Sequence, residues 1–342
     1  MIELTKDLIE RTAFAGRGIG VDTLSDLLSS MRLSGGVFLD GEMAGPWSIL
    51  SQVGPDECAV YFPSAPPSTH IIAYHYVRSG WLECQVGDDE PPATVRAGQI
   101  VLLPRNMPHV LHGPERSVPV DGRDWVMPPG DDGLYRVRLG EGRGEKTSVY
   151  CGFLASTTPE NMLLRSLPPV MVVGLDDAKE SDWIRRSIDF AVHGLSKDSP
   201  ETVGKLAEGL FAEAVRRYID ALPPEEAGWL AGLKDPAVGR TIALIHKSYA
   251  EALTLDELAR EAGVSKTVLG DRFRSLLGES PMQYCSKWRM NVAADMLRKE
   301  SHHASNVAYS VGFNSEAAFN RAFKREFGLP PAAWQKMQSA VA

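Results

Sequence analysis

Cysteine is scarce in this chain, and so is positive charge. Only Cys58, Cys84, Cys151 and Cys285 stand among 342 residues. That is too few for the disulfide framework of a small secreted fold. No apolar run approaches the roughly 18 residues of a membrane span. The start, Met1-Ile2-Glu3-Leu4-Thr5-Lys6-Asp7, lacks the basic and apolar regions of a signal peptide. A cytoplasmic protein with reduced thiols and no membrane partner is expected. Lys+Arg number 36 against 44 Asp+Glu, a net charge of −8. Spread evenly, that charge would argue weakly against a nucleic-acid partner. What the chain does have is a globular composition, 44% hydrophobic and 23% charged. Its length suggests two domains at roughly 100–200 residues each.

The charge is not spread evenly. Residues 1–232 hold 21 Lys+Arg and 33 Asp+Glu, a net of −12. Residues 233–342 hold 15 and 11, a net of +4. Such asymmetry points to a nucleic-acid-binding part. Of the 23 prolines, 16 lie in residues 1–173. A proline-rich half favours strands and turns, and a proline-poor half permits helices.

Residues 22–33 read as a short helix, with Leu24, Leu27, Leu28 and Met31 on one face. From Gly35 to about Val173, short strands alternate with Gly and Pro, which implies an all-β sandwich or barrel. Arg78-Ser79-Gly80 reads as a hairpin turn, and residues 113–133 as a long surface loop. The stretch GQIVLLPRNMPH, Gly98–His109, resembles the second motif of the cupin family. Gly98 opens a turn, Pro104 ends a strand, Asn106 suits a left-handed position and His109 points inward.

In cupin enzymes such a His joins a His-x-His and a Glu on a metal. Here His75 is present, but Val77 stands in place of the second His, and Glu83 is off the usual spacing. A catalytic metal generally needs three protein ligands. No cofactor is therefore assigned. His75 and His109 read first as satisfied barrel-core or pocket histidines. With Cys151 they are also the candidate set for zinc. Cys84 and Cys151 read as buried small hydrophobes before redox thiols. Tyr74, Tyr76, Trp81, His75 and His109 are the candidates for an effector pocket. Neighbouring strand residues face opposite ways, so only one of the His75 and Tyr74/Tyr76 sets can point inward.

Two helices follow, Asp182 to about His193 and Glu201 to Ala221. The second carries an apolar stripe of Leu206, Leu210, Phe211, Ala214, Val215, Tyr218 and Ile219. It either packs on its own domain or forms half of a dimer interface. The expected divisions are 1–175, the cupin-like part; 176–232, a helical linker or dimerisation segment; and 233–342, the net-basic part that the charge asymmetry marks for nucleic acid.

Beyond residue 233 the local signals are dense. Asp235-Pro236 starts a helix, and Thr254-Leu255-Asp256-Glu257 is a capping box. That second helix stops at Gly263, and Ser265 caps another, a helix-turn-helix pattern. The pattern recurs. Val307-Ala308 matches Leu258-Ala259 and Gly312 matches Gly263; Ser315, Phe319 and Phe323 match Ser265, Leu269 and Phe273 after one extra turn residue. Ser280-Pro281-Met282-Gln283 opens a long helix between the repeats.

These residues, above all VAYSVGFNSEAAFNRAFKREFGLPP at 307–331, resemble the DNA-binding domain of the AraC/XylS family of transcription regulators. The segments around Tyr150-Cys151-Gly152 and Leu167-Pro168-Pro169-Val170 resemble the cupin-type sensor of an AraC-like subgroup. The resemblance implies an N-terminal all-β cupin-like barrel with flanking helices and a C-terminal all-α tandem helix-turn-helix domain. It also implies a ligand-responsive regulator, usually dimeric, often an activator contacting RNA polymerase, and not an enzyme. The alternative is a metal-dependent cupin enzyme fused to a DNA-binding module.

Exposed early positions of a recognition helix face base edges. In the second unit these are Glu316, Ala317, Asn320 and Arg321. Asn suits adenine and Arg suits guanine. Lys324 and Arg325 suit phosphates. In the first unit Lys266, Thr267, Gly270 and Asp271 are equivalent, and Arg274 and Arg289 complete the DNA-facing set. Gly270 has no side chain and Asp271 repels phosphate, so the first unit should discriminate bases weakly.

Overall fold

The computed structural model describes residues 24, 33–52, 54, 70–130, 134–140, 144–156, 162–175, 186–188, 190, 200–223, 225–298 and 304–339. Of these, 33–221 form one compact unit, and 222–339 with Leu24 form the other. The helix expected at 22–33 and the one from Asp182 lie largely outside the described residues. Among the described residues, no helix is long and apolar enough to cross a membrane.

The first unit is two facing sheets. Strands β1 (Ser34–Ala44), β3 (His70–Ser79), β6 (Gln99–Leu103), β9 (Tyr135–Leu139), β10 (Lys146–Ser156) and β11 (Met171–Gly174) pair in the order β11-β6-β3-β10-β1-β9. Strands β2 (Ser48–Ser51), β4 (Trp81–Val86), β5 (Ala93–Arg96), β7 (His109–His112) and β8 (Val120–Asp121) pair in the order β5-β4-β7-β2-β8. Local chemistry sets the corners. Gly80, at φ +74°, turns β3 into β4. Asn106, at φ 47°, is the single non-glycine at positive φ among the described residues. It stands after Pro104, at the turn the sequence predicts.

Strand alternation then sorts the side chains. Ala73, His75, Val77, Val149, Cys151 and Phe153 face the space between the sheets. Tyr74, Tyr76, Tyr150 and Leu154 face the other way, toward helix α2 (Pro200–Ala221). Phe211, Ala214, Val215 and Ile219 of α2 are buried, and α2 packs on β1, β10 and β11. Much of its apolar stripe is thus buried against its own sheet, while Leu206, Leu210 and Tyr218 stay half-buried. A short helix, α1 (Met162–Ser166), precedes β11. Residues 113–133, expected as an unbroken loop, contain β8 and a 3-10 turn, Gly122–Trp125. Asp121 caps that turn by accepting from the Arg123 N–H. β8 runs parallel to β2, a distant pairing that no local pattern announces.

The second unit is helical: α3 (Trp229–Lys234), α4 (Pro236–Ser248), α5 (Leu255–Ala262), α6 (Lys266–Leu277), α7 (Pro281–Arg298), α8 (Ala304–Ser310), α9 (Glu316–Phe327) and α10 (Pro331–Ser339). The predicted caps are present. Asp235 accepts from Ala237 and Val238, and Thr254 and Glu257 form the full capping box. Ser265 and Ser315 accept from Val268 and Ala318. Each such cap stabilises its helix by about 1 kcal/mol. Gly263, at φ +72°, closes α5 in the left-handed conformation.

Candidate functional site

The two sheets flank a partly open cavity that His75 and Cys151 line. Register places its polar floor: Cys151 stands opposite His75 in the first sheet. His109 opens β7 across the barrel and is 1% exposed. Cys151 Sγ lies 2.9 Å from His75 Nδ1, and His75 Nε2 lies 2.8 Å from His109 Nε2. His109 Nδ1 lies 3.0 Å from the Met107 carbonyl oxygen.

That carbonyl can only accept, so the network assigns the protons. His109 Nδ1–H donates to Met107, His75 Nε2–H donates to His109, and the Cys151 thiol donates to His75. Every group is neutral and matched. Burial holds His109 down to about 4. Burial, with repulsion from His109, holds His75 well below its ordinary range. Burial, with the Asp40 carboxylate adding, pushes the Cys151 thiol up to about 12. Thiol, base and second histidine are in line, but burial keeps the Cys151 thiol protonated and so a poor nucleophile.

The same geometry bears on a metal. His75 sits between the other two groups, with one on each ring nitrogen, so the three donors do not converge on one point. A zinc site needs convergence at about 2.0–2.3 Å, which this arrangement does not fit. Val77 is fully buried in the core, and Glu83 pairs with Arg116. Neither supplies a missing ligand.

Of the pocket candidates, His75 lines the cavity and His109 stands behind it. Tyr74 and Tyr76 line a separate crevice under α2, and Trp81, half-buried at the start of β4, lines neither. Sequence reasoning missed Arg123 at the cavity edge, held by Asp121 at 2.6 Å. It also missed His112, whose Nδ1 lies 2.8 Å from Ser48 Oγ. The loop between them hid Arg123. His112 closes the short strand that His109 opens, three residues away and therefore on its other face.

In the helical unit, the inner faces of both helix-turn-helix repeats carry the matched residues. Leu269, Phe273, Phe319 and Phe323 are fully buried. The outer faces differ. On α9, Glu316, Ala317, Asn320, Arg321, Lys324 and Arg325 are exposed. Arg321, Lys324 and Arg325 make no ion pair among the described residues. On α6, Lys266 pairs with Asp256 at 2.9 Å, Arg272 with Asp235 at 3.1 Å and Arg274 with Asp271 at 3.6 Å. Thr267 is exposed, and so is Val268, an apolar contact the sequence reading passed over.

Arg289, expected to face DNA, is placed otherwise. Its guanidinium donates to the carbonyls of Tyr249 at 2.6 Å, Glu251 at 2.7 Å and Gly312 at 3.4 Å. It therefore ties α7 to the loop before α5 and to the turn of the second repeat. Gly312, at φ +80°, completes this joint: a Cβ there would lie 2.5 Å from the Ala250 carbonyl oxygen.

Residues 22–220 match the Cupin family, and residues 258–337 match a Helix-turn-helix domain family. An AraC-like transcription regulator of Streptomyces lividans is 31% identical over 78% of this chain and 87% of its own length. The chain belongs to the AraC family of transcription regulators. A second AraC-like regulator, from Streptomyces antibioticus, is 29% identical over 92% of this AraC-family chain and 99% of itself. The DNA-binding domain of AdpA, solved in complex with a target DNA, is 28% identical to this regulator. That alignment covers 31% of this chain and 95% of the solved one, with a TM-score of 0.29. Both parts of the AraC-family plan are present, a β-rich cupin-like region and a helical DNA-binding region.

Proposed function

We propose that this regulator is switched by a small molecule bound in its barrel and reads its operator chiefly through α9. It acts as a cytoplasmic homodimer, contacts RNA polymerase as an activator, and catalyses no reaction of its own. One observation carries the reading. The same chain holds a partly open cavity with a neutral polar floor and a recognition helix with unpaired cations. Asn320 and Arg321 read bases, and Lys324 and Arg325 hold phosphates. Lys266, Thr267, Asp271 and Arg274 make the weaker contacts of the first repeat. The enzyme reading finds little support in the cavity, where the donor atoms do not converge on one point and burial favours the protonated Cys151 thiol.

Genome-wide mapping of bound sites, followed by footprinting of the full chain on them, tests the proposal. Two protected major grooves on one DNA face are expected, about 34 Å apart. A single protected groove, or protection that ignores sequence, sinks it.

A further inference from the structure

The walls of the barrel cavity are aliphatic: Leu39, Met43, Ile49, Leu111, Val137 and Val149 form most of them. Among the described residues, no Asp, Glu or Lys side chain lines the space. Its polar floor is closed on itself, since each proton of Cys151, His75 and His109 already has an acceptor. A ligand there meets only the weak lone pairs of sulfur. The single charged lining residue among the described ones, Arg123, stands at the edge with two nitrogens on the Asp121 carboxylate, at 2.6 and 3.0 Å. An anion would meet a cation already neutralised by Asp121, and a cation would find Asp121 already taken. Either would also lose hydration against hydrocarbon walls, a cost of several kcal/mol without a partner.

Building on the sensor reading above, we infer that the cavity takes an uncharged, largely aliphatic small molecule. Its one polar group stays at the edge, beside Ser51, Gln52 and Arg123. The low values for both histidines fit the same picture of a dry, uncharged floor.

Three probes with one hydrocarbon chain and different head charges test this on the full chain: decanol, decanoate and decyltrimethylammonium, each below its micelle concentration. Decanol should raise Tm and bind at least about tenfold tighter than either ion. Arg123→Ala, at an exposed side chain, should leave decanol affinity within about threefold, because a neutral ligand draws little from the cation. Val126→Trp narrows the cavity edge and should weaken decanol binding at least about tenfold. Leu50→Trp, at a position 42% exposed, serves if Val126→Trp does not fold. A charged probe binding as tightly as decanol overturns the inferred class and leaves the sensor reading standing. Decanol binding that both tryptophan variants leave unchanged, or a large loss in Arg123→Ala, also overturns it. If none of the three probes binds, the inference and the sensor reading fall together.

Discussion

The first helix-turn-helix, α5–α6, and the second, α8–α9, share serine caps, left-handed turn glycines and paired buried side chains. They part on the surface. The second keeps Arg321, Lys324 and Arg325 unpaired, while the first sets an acid against each exposed cation of its recognition helix. A duplicated scaffold thus carries one recognition helix whose cations pair with no acid among the described residues and one whose cations do. Packing is held in common because it is what folds each repeat. Surface charge is free to diverge because it contributes little to stability.

The largest test of this contrast is a pair of double variants. Asn320→Ala with Arg321→Ala should cost about 2–6 kcal/mol in operator affinity and relax sequence preference. Thr267→Ala with Asp271→Ala should cost under about 1 kcal/mol. Competitive gel shifts with scrambled operators read both, and equal losses would erase the contrast. Next comes Arg289→Ala, expected to lower unfolding free energy by about 3 kcal/mol through lost charged hydrogen bonds. Because its guanidinium is held by carbonyls, the salt dependence of DNA binding should stay unchanged; a shallower slope would make it a phosphate contact.

The turn glycines come third. In Gly312→Ala the new Cβ meets the Ala250 carbonyl at 2.5 Å, whereas in Gly263→Ala its nearest neighbour is Arg240 at 3.7 Å. Urea unfolding should show about 2–3 kcal/mol lost for the first and about 1 kcal/mol for the second. Fourth, Lys324→Ala should reduce the salt slope of operator binding by about 1. Lys266→Ala, already paired with Asp256, should reduce it by less than about half that. Last, a Cβ at Gly270 meets nothing within 4 Å. Gly270→Ala should stabilise α6 by about 0.5–1 kcal/mol, with thermal unfolding as the readout.

The same contrast between local and distant shows what could be read in advance. Caps and turns are local, so Asp235, Thr254, Ser265, Gly98 and Asn106 announced their elements from the chain alone. The family resemblance rested on such residues too. The pairing of His75 with Cys151 joins strands far apart in sequence, and residue types alone left zinc ligands and core histidines both open. Only the register and ring geometry placed His75 between its neighbours. Arg289 was misplaced for a similar reason, since basic residues near a recognition helix read alike until their acceptors are seen. The α2 stripe could have faced a partner or its own sheet, and only the burial of Phe211 and Val215 showed that the sheet takes its centre.

The register of β1 has a consequence for how the chain is made. Its residues Ser34 to Ala44 pair with β10, Lys146 to Ser156, and on the other edge with β9. As the chain leaves the ribosome, this strand therefore waits for more than half of the barrel sequence before either neighbour exists. Helices α4 to α10 close over short separations as each repeat emerges. Contacts distant in sequence form slowly, and unpaired strand edges invite association. Synthesis thus exposes β1 longest, and the step that ends its exposure is the arrival of the strand that carries Cys151.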